Sequence, residues 1–148
     1  MTRSPIPPVQ ELILQREEAL LLERVTAFGP DFVEAVARLD AEHPLAHERG
    51  IPCWVGIELM AQAISAFSGL ELRARGKAPR IGLLLGTRRY VAQTPYFGAG
   101  VELRIRAQLS WRDADGLAVF DCVLSEGGRA LASAQVKGFE PEDIGAYL

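Results

Sequence analysis

The sequence predicts an α+β fold in which an antiparallel sheet wraps around one long central helix. Residues 54–74 follow helical spacing and are apolar around most of the helix, which is typical of a buried helix. The segments on both sides alternate between apolar and polar residues, which is typical of strands. The length of 148 residues fits one domain, so residues 1–148 are treated as a single unit.

Two strands are predicted before the helix. The segment "ALLLERVTAFG" has strand composition and ends at Gly29-Pro30. The segment "DFVEAVARL" then alternates cleanly, so the two segments form a plausible hairpin. The loop "DAEHPLAHERGIP" follows and leads into the helix.

The helix is predicted from Trp54 to about Ala74. Its helical spacing is carried by Ile57, Met60, Ala61, Ile64 and Phe67. Alanine, leucine and methionine favour the helix, and a glycine at position 76 is a suitable stop.

Four further strands are predicted after the helix. They are "IGLLLGTRRYVAQ", with bends or a bulge at Gly82 and Gly86, then "VELRIRAQLSW", "LAVFDCVL" and "ALASAQVKGF". "DADG" and "EGG" make the turns between the last three. Alternation places Trp111 on the core face and turns Arg88 and Arg89 to opposite faces. The tail "EPEDIGAYL" is predicted as a short helix.

Strand, strand, helix and four strands in this order are the hotdog layout. The net charge of −3 gives no basic face for nucleic acid. Cys53 and Cys122 lie far apart without metal-like spacing, so neither a disulfide nor a metal site is expected. No secretory leader and no run of about 18 apolar residues is seen, which favours a cytoplasmic protein.

A polar stripe interrupts the apolar helix. At about 100° per residue, Glu58, Gln62 and Ser65 fall on one narrow face. The helix dipole alone could explain an acid in the first turn. It explains Gln62 and Ser65 less well, because these would point into the core. An acid in an apolar cavity can serve as a proton donor, so Glu58 is the candidate catalytic acid.

The two histidines, His43 and His47, lie in the loop that leads into this helix. Loop histidines are often solvated surface residues. Their confinement to this loop makes both of them candidate catalytic residues, and a histidine followed by proline, as at His43, has a restricted backbone.

"GIELMAQA" resembles the active-site helix of the hotdog-fold 3-hydroxyacyl-[acyl-carrier-protein] dehydratases. "ALLLERV" is similar to the first strand of that family. "IPCWVGIELMAQAISAFSGL", "IGLLLGTRRY" and "VFDC" together resemble the subgroup found in aryl polyene and related pigment clusters. The resemblance spans roughly residues 13–148. Two departures are that no Gly-His-Phe-Pro-Gly loop is present, and that Gln15 stands where many members have a histidine.

The resemblance implies dehydration of a carrier-bound 3-hydroxyacyl thioester to a 2-enoyl thioester in fatty-acid-like or aryl polyene biosynthesis. It places the acid at Glu58 and the base at a histidine, which meet across a dimer. Trp54, Gly56 and Gln62 are the candidate substrate-binding residues. No cofactor is implied beyond the phosphopantetheine arm that carries the substrate.

Partners follow from the same resemblance. An acyl carrier protein would dock on the cations beyond the helix, which are Arg73, Arg75, Lys77 and Arg80. These cations could also simply complement the helix C-terminus. A homodimer or higher assembly is expected, with a second hotdog subunit as a further possibility. The alternatives to a dehydratase are an acyl thioesterase and a non-catalytic partner subunit of a heterodimeric dehydratase.

Overall fold

A six-stranded antiparallel sheet forms most of the fold in the computed structural model, which describes residues 5–80 and 83–140. The strands are β1 (Leu22–Gly29), β2 (Phe32–Ala37), β3 (Ile51–Pro52), β4 (Leu83–Ala92), β5 (Tyr96–Phe97), β6 (Leu103–Arg112), β7 (Leu117–Glu126) and β8 (Arg129–Phe139). The helix α1 (Val55–Ala74) lies between β3 and β4. The large sheet has the order β1-β2-β6-β7-β8-β4, while β3 and β5 form a separate two-stranded ribbon.

The sheet curls around α1, which packs against all six of its strands. Eleven of the 20 helical residues are buried, and Leu59, Met60 and Ala63 have no exposed surface. The inner face of β6 supplies Leu103, Ile105 and Ala107 to the same core. The helix is buried because it is apolar around most of its surface, which confirms the predicted hotdog layout.

The sequence was expected to contain no apolar run long enough to span a membrane, but the helix Val55–Ala74 is long and apolar enough to qualify. By length and composition alone, α1 could cross a membrane, with a mean hydropathy of 1.2. However, 56% of that window is buried inside the fold. This is the behaviour of the core helix of a soluble protein, which passes the same test.

The helix ends as the sequence predicts. Gly76 adopts a positive φ of 70°, and the N–H of Lys77 donates to the carbonyl of Leu72 at 2.8 Å. This closes the last turn in the way that a glycine after a helix usually does. Nearer the middle, Gly69 lets the backbone of Leu12 cross the helix at a distance where a Cβ atom would collide with it. The N-terminal segment is thereby held against α1.

The prediction that Trp111 lies on the core face is wrong, and the strand alternation breaks in β4 for the same physical reason. The register of β6 against β7 shifts between Leu109 and Trp111, so Trp111 is turned to the surface and is 52% exposed. In β4 the register shifts between Arg88 and Val91, and Arg89 takes a positive φ of 55°. Arg88 and Arg89 are both exposed. A bulge adds a residue to one strand and so breaks the period of two.

The remaining elements agree with the sequence where they can be compared. A second register shift in β4 falls between Leu84 and Gly86, which confirms the bulge predicted at this glycine. A short 3-10 helix occupies Val9–Glu11, and another occupies Glu17–Ala19. The ribbon of β3 and β5 is absent from the sequence-based prediction. Gly82 and the tail helix predicted at residues 140–148 fall outside the described residues, except for Glu140.

Candidate active site

A cavity of about 540 Å³ lies between α1 and the ends of β7 and β8. Its helical wall carries polar and charged residues, including Glu58, Ser65, Ser68 and Glu71. Its opposite side combines an apolar surface with charged residues at one end, Arg112, Asp113, Asp115 and Glu140. The apolar surface includes Leu117, Ala118, Phe120, Val136 and Phe139. The cavity therefore offers an apolar side for an acyl chain and a half-buried carboxylate beside it.

Gln62 holds that carboxylate in place. The side-chain amide nitrogen of Gln62 donates to Glu58 Oε1 at 2.9 Å and to the carbonyl of Ala19 at 2.7 Å. Its oxygen accepts the backbone N–H groups of Leu21 and Leu22 at 2.9 and 3.3 Å. Gln62 is fully buried and lines no part of the cavity. The hydrogen-bonding groups of Gln62 are thus engaged within the fold, and its predicted role in substrate binding stays a prediction.

The start of α1 is fixed by Tyr90 on β4. The Tyr90 hydroxyl donates to the backbone carbonyl of Cys53, and burial raises the pKa of this tyrosine to about 12. A Cβ atom at position 56 would collide with the same hydroxyl. Gly56 thus provides room for Tyr90, and its predicted role in letting substrate approach stays a prediction.

Backbone N–H groups at this helix start are partly engaged. The N–H of Gly56 donates to Cys53 at 3.0 Å, and that of Ile57 donates to Trp54 at 3.2 Å. Within the described residues, the N–H groups of Trp54 and Val55 are not engaged in this way. Unpaired N–H groups at a helix start are suited to a developing negative charge on an oxygen.

Neither histidine lines the cavity that Glu58 lines. His43 is half-buried, and its Nδ1 accepts the N–H of Leu45 at 3.1 Å. His47 is exposed and stacks on Tyr96, with 5.3 Å between the ring centroids. Its Nδ1 accepts the N–H of Arg49 at 3.3 Å. An Nδ1 that accepts a hydrogen bond leaves the proton of the neutral ring on Nε2.

Trp54 lies at the surface rather than in the core or a substrate tunnel. It is the N-cap of α1, is 56% exposed and does not line the cavity. Its predicted role in substrate binding therefore has no support within one chain. A large exposed aromatic residue at the start of the helix is instead typical of a protein contact.

Polar residues at the far end of the cavity were not predicted as site residues. The hydroxyl of Ser68 donates to Glu140 Oε2, and Arg112 pairs with Glu71 at 2.7 Å. Glu140 Oε1 is buried without a hydrogen-bond partner among the described residues. The recurrence of Ser65, Ser68 and Glu71 on one helical face could have indicated them.

Gln15 also lines the cavity, so it shares this space with Glu58. It precedes the 3-10 helix Glu17–Ala19, whose last carbonyl Gln62 binds. The sequence shows that Gln15 departs from the family pattern. It does not show that Gln15 lies near Glu58, because 42 residues separate the two in the chain.

The four predicted docking cations do not form one uniform patch. Arg73 pairs with Glu11 at 3.6 Å, while Arg75 and Lys77 are exposed. Arg75 and Arg80 line the cavity as well. The structure thus brings two of the four cations to the edge of the candidate site.

The fold and the carboxylate of Glu58 define a hotdog protein with an acid on its central helix. A family model described as "ApeP-like: ApeP dehydratase" matches residues 7–148. The chain therefore belongs to the ApeP-like dehydratase family.

Solved structures agree with this assignment. The chain is similar to one in the dehydratase heterocomplex ApeI:P from Xenorhabdus doucetiae, with a TM-score of 0.89, 26% identity and 97% of each chain covered. A mutant thioesterase from Pseudomonas aeruginosa has a TM-score of 0.62 at 15% identity, over 80% of each chain. At that identity the thioesterase likeness concerns the fold alone.

One curated relative matches over a short segment. It is a UDP-N-acetylmuramoylalanine–D-glutamate ligase from Leifsonia xyli, 44% identical over 52 residues. The match covers 33% of this chain and only 10% of the ligase. Because the match spans only a tenth of the ligase, it does not indicate that this chain shares the activity of the ligase.

Proposed function

We propose that this chain contributes the catalytic acid of a dehydratase. Its substrate is a 3-hydroxyacyl thioester on an acyl carrier protein, and its product is the 2-enoyl thioester of a fatty-acid-like or aryl polyene pathway. The observation that carries the proposal is the Glu58 carboxylate, which lies on the wall of an acyl-sized cavity with Oε1 bound by Gln62.

The chemistry follows from what the substrate needs. A base removes the proton at C2, and the C2–H electrons form the C2–C3 double bond. Glu58 donates its proton to the departing C3 hydroxyl, which leaves as water while Glu58 becomes a carboxylate. Charge that develops on the thioester oxygen is stabilised by N–H groups at the start of α1, for which Trp54 and Val55 are the candidates.

The base is a histidine, and in this fold it comes from a neighbouring subunit. The proposal rests on the absence of both histidines from the lining of the cavity that holds Glu58. The neighbouring subunit is a second copy of this chain or a different hotdog chain. The similar Xenorhabdus chain is part of a dehydratase heterocomplex, which supports a hotdog partner. The exposed Trp54 and the edge strand β4 provide surface for such contact.

The hydrogen bonds at the histidine rings favour a second candidate function. If Nδ1 of each histidine accepts a backbone N–H, Nε2 carries the proton of the neutral ring and is not ready to act as a base. This chain would then be a partner subunit that supports an active hotdog chain. Activity would depend on adding that second chain.

The carrier protein and the phosphopantetheine arm belong to the same proposal. Arg75 and Arg80 line the cavity, so an acidic carrier that docks there would deliver its arm directly to the site. We expect no cofactor other than this arm and no metal, and we expect the protein to work in the cytoplasm.

The proposal is tested by Glu58→Gln. The substitution is near-isosteric and keeps an acceptor oxygen for Gln62, so the fold should persist. We expect a loss of turnover of about 10²–10⁴-fold or more, because a general acid contributes about that much. The measurement is loss of water from a carrier-bound 3-hydroxyacyl thioester, followed by mass spectrometry.

The matched control is Glu23→Gln, which changes an exposed acid on β1 in the same way. Wild-type turnover in Glu58→Gln would remove Glu58 from the mechanism. No turnover in the wild type alone, with turnover on addition of a second hotdog chain, would favour the partner-subunit function.

A further inference from the structure

We propose that the ion pair between Glu71 and Arg112 closes the distal end of the cavity and so limits the length of the acyl chain that the site accepts. The inference rests on the proposed function and deepens it, because it assigns two specificity-determining residues for the same substrate. Its basis is a salt bridge that joins the helical wall of the cavity to the sheet wall, far along the helix from Glu58.

This ion pair connects two walls of one cavity. Glu71 lies on α1, Arg112 is the last residue of β6, and both residues line the cavity. Nη1 of Arg112 donates to Glu71 Oε1 at 2.7 Å. The hydrogen bond from Glu71 raises the pKa of Arg112, so the guanidinium stays charged at any physiological pH. A chain that extends along the cavity therefore meets a charged bridge.

The turn that follows Arg112 is held in place by the backbone. Asp113 Oδ1 accepts the N–H of Leu117 at 3.0 Å. The carbonyl of Gly116 accepts the N–H of Glu140 at 3.0 Å. A Cβ atom at position 116, where φ is +102°, would collide with the backbone of Glu140. The turn is thereby anchored beside the end of β8, so the base of the Arg112 side chain has a fixed position and only its contact with Glu71 has to change when the end opens.

The surface between Glu58 and the ion pair suits an acyl chain. Apolar residues of the helix and the sheet line it, and these include Ala61, Ile64, Phe67, Phe120 and Val136. Each CH₂ group that such a surface buries strengthens binding by up to about four-fold. An apolar chain that reaches the ion pair gains nothing comparable, because it displaces water from ionised groups. Affinity should therefore rise with chain length until the chain reaches the ion pair, and then stop rising or fall.

The helix gives a scale for that length. Glu71 follows Glu58 by 13 positions in the chain. At about 1.5 Å per residue, this separation is about 20 Å along the helix axis. An extended chain advances by about 1.2 Å per bond, because an extended polypeptide spans about 3.3–3.6 Å for three bonds. With the substrate C3 atom at Glu58, a linear chain of about 16 further bonds would reach the ion pair.

The test measures binding and turnover as a function of chain length. The binding probes are saturated S-acyl-pantetheines of increasing length, which have no C3 hydroxyl and cannot be dehydrated, and calorimetry gives their Kd. The turnover substrates are carrier-bound 3-hydroxyacyl thioesters of the same lengths. Both series are measured on the protein in the assembly in which it purifies.

The test variant is Glu71→Leu/Arg112→Leu, which removes both charges together so that neither is left unpaired. If it does not fold, Glu71→Gln/Arg112→Met takes its place, because it keeps both side chains near their full length. The matched control is Arg38→Leu/Glu102→Leu. Arg38 and Glu102 form another exposed ion pair, at 3.7 Å, and neither lines the cavity.

For the wild type we expect a break in the profile, beyond which affinity no longer rises with chain length. In the test variant the break should move to longer chains. Relative to a short chain, a chain two CH₂ groups beyond the wild-type break should bind about ten-fold more tightly than it does to the wild type. The control variant should keep the wild-type break. A wild-type profile without a break, a break that stays in place in the test variant, or an equal shift in the control would overturn the inference.

The two readouts separate this inference from the proposed function. A break that shifts as expected with the saturated probes, without dehydration of any 3-hydroxyacyl thioester, would support the limit on chain length and count against the dehydratase. Dehydration without a break in either series would leave the proposed function standing and overturn the inference.

Discussion

The two ends of the cavity are both polar, but different kinds of hydrogen bond build them. At the acid end Glu58 lines the cavity and is held by Gln62, which lies outside the lining and is itself bound by three backbone groups of residues 19–22. The distal end consists of Ser68, Glu71, Arg112 and Glu140, and it is held by bonds from side chain to side chain.

This difference bears on what each end can do. A side chain tied to backbone groups moves only if the fold moves, so the acid end is pre-organised for chemistry. A pair of side chains can change rotamers together, and an exposed ion pair adds little stability. The distal end can therefore adjust to the substrate or to the carrier. We expect damage at the acid end to lower kcat, and damage at the distal end to change stability or KM.

The largest effect is expected for the histidines. His43 is half-buried and precedes Pro44, which restricts its backbone, so it is the candidate base when the neighbouring subunit is a second copy of this chain. We expect His43→Ala to lower turnover by about 10²–10⁴-fold, because a general base contributes about that much. The measurement is the same mass-spectrometric assay of water loss.

His47→Ala is the matched control, because His47 is exposed and should lose little activity. A large loss for His47 alone would reverse this assignment. Small losses for both variants would place the base on a different hotdog chain and would favour the partner-subunit function.

The contrast between the two ends also explains how much could be predicted from the sequence. The six strands of the sheet, the single buried helix and the acid at position 58 follow from periodicity and from local motifs. Such features depend on residues that are near each other in the chain. They were confirmed by the structure or, for the role of Glu58, remain a prediction.

Contacts between distant segments could not be predicted in this way. Gln62 meets the turn at residues 19–22, and Ser68 meets Glu140 across 72 residues. The stripe of polar residues showed that Gln62 has a special environment but not which partners it has. The bulges at Trp111 and Arg89 were missed because one inserted residue reverses the alternation, and no local motif marks it.

A smaller effect is expected at the distal end for Ser68→Ala. Glu140 Oε1 has no partner among the described residues, and Ser68 supplies the hydrogen bond to Oε2. Its removal takes away the hydrogen bond that this carboxylate has there, so we expect the free energy of unfolding to fall by about 1–3 kcal/mol. Chemical denaturation measures this change, and kcat should remain close to the wild-type value.

Ser65→Ala is the control, because Ser65 lines the same cavity and makes no hydrogen bond comparable to that of Ser68 among the described residues. An equal loss of stability in both variants would show that Glu140 gains nothing specific from Ser68. A loss of kcat in Ser68→Ala without a loss of stability would contradict the division between the two ends.

The smallest effect is expected beyond the distal end, at Arg75 and Lys77. Both are exposed, and Arg75 lines the cavity, so they are placed to attract an acidic carrier without contacting the reacting atoms. We expect the double variant Arg75→Glu/Lys77→Glu to raise KM for a carrier-bound substrate by about ten-fold, with kcat unchanged, because surface charges act on encounter. The increase should shrink at high salt, because ions screen exposed charges.

The double variant Arg129→Glu/Lys137→Glu makes the same change of charge on exposed residues of β8. If it raises KM equally, net charge rather than a docking site is responsible. If the Arg75/Lys77 variant lowers kcat instead, these cations act on the acid end, and the separation between the two ends fails.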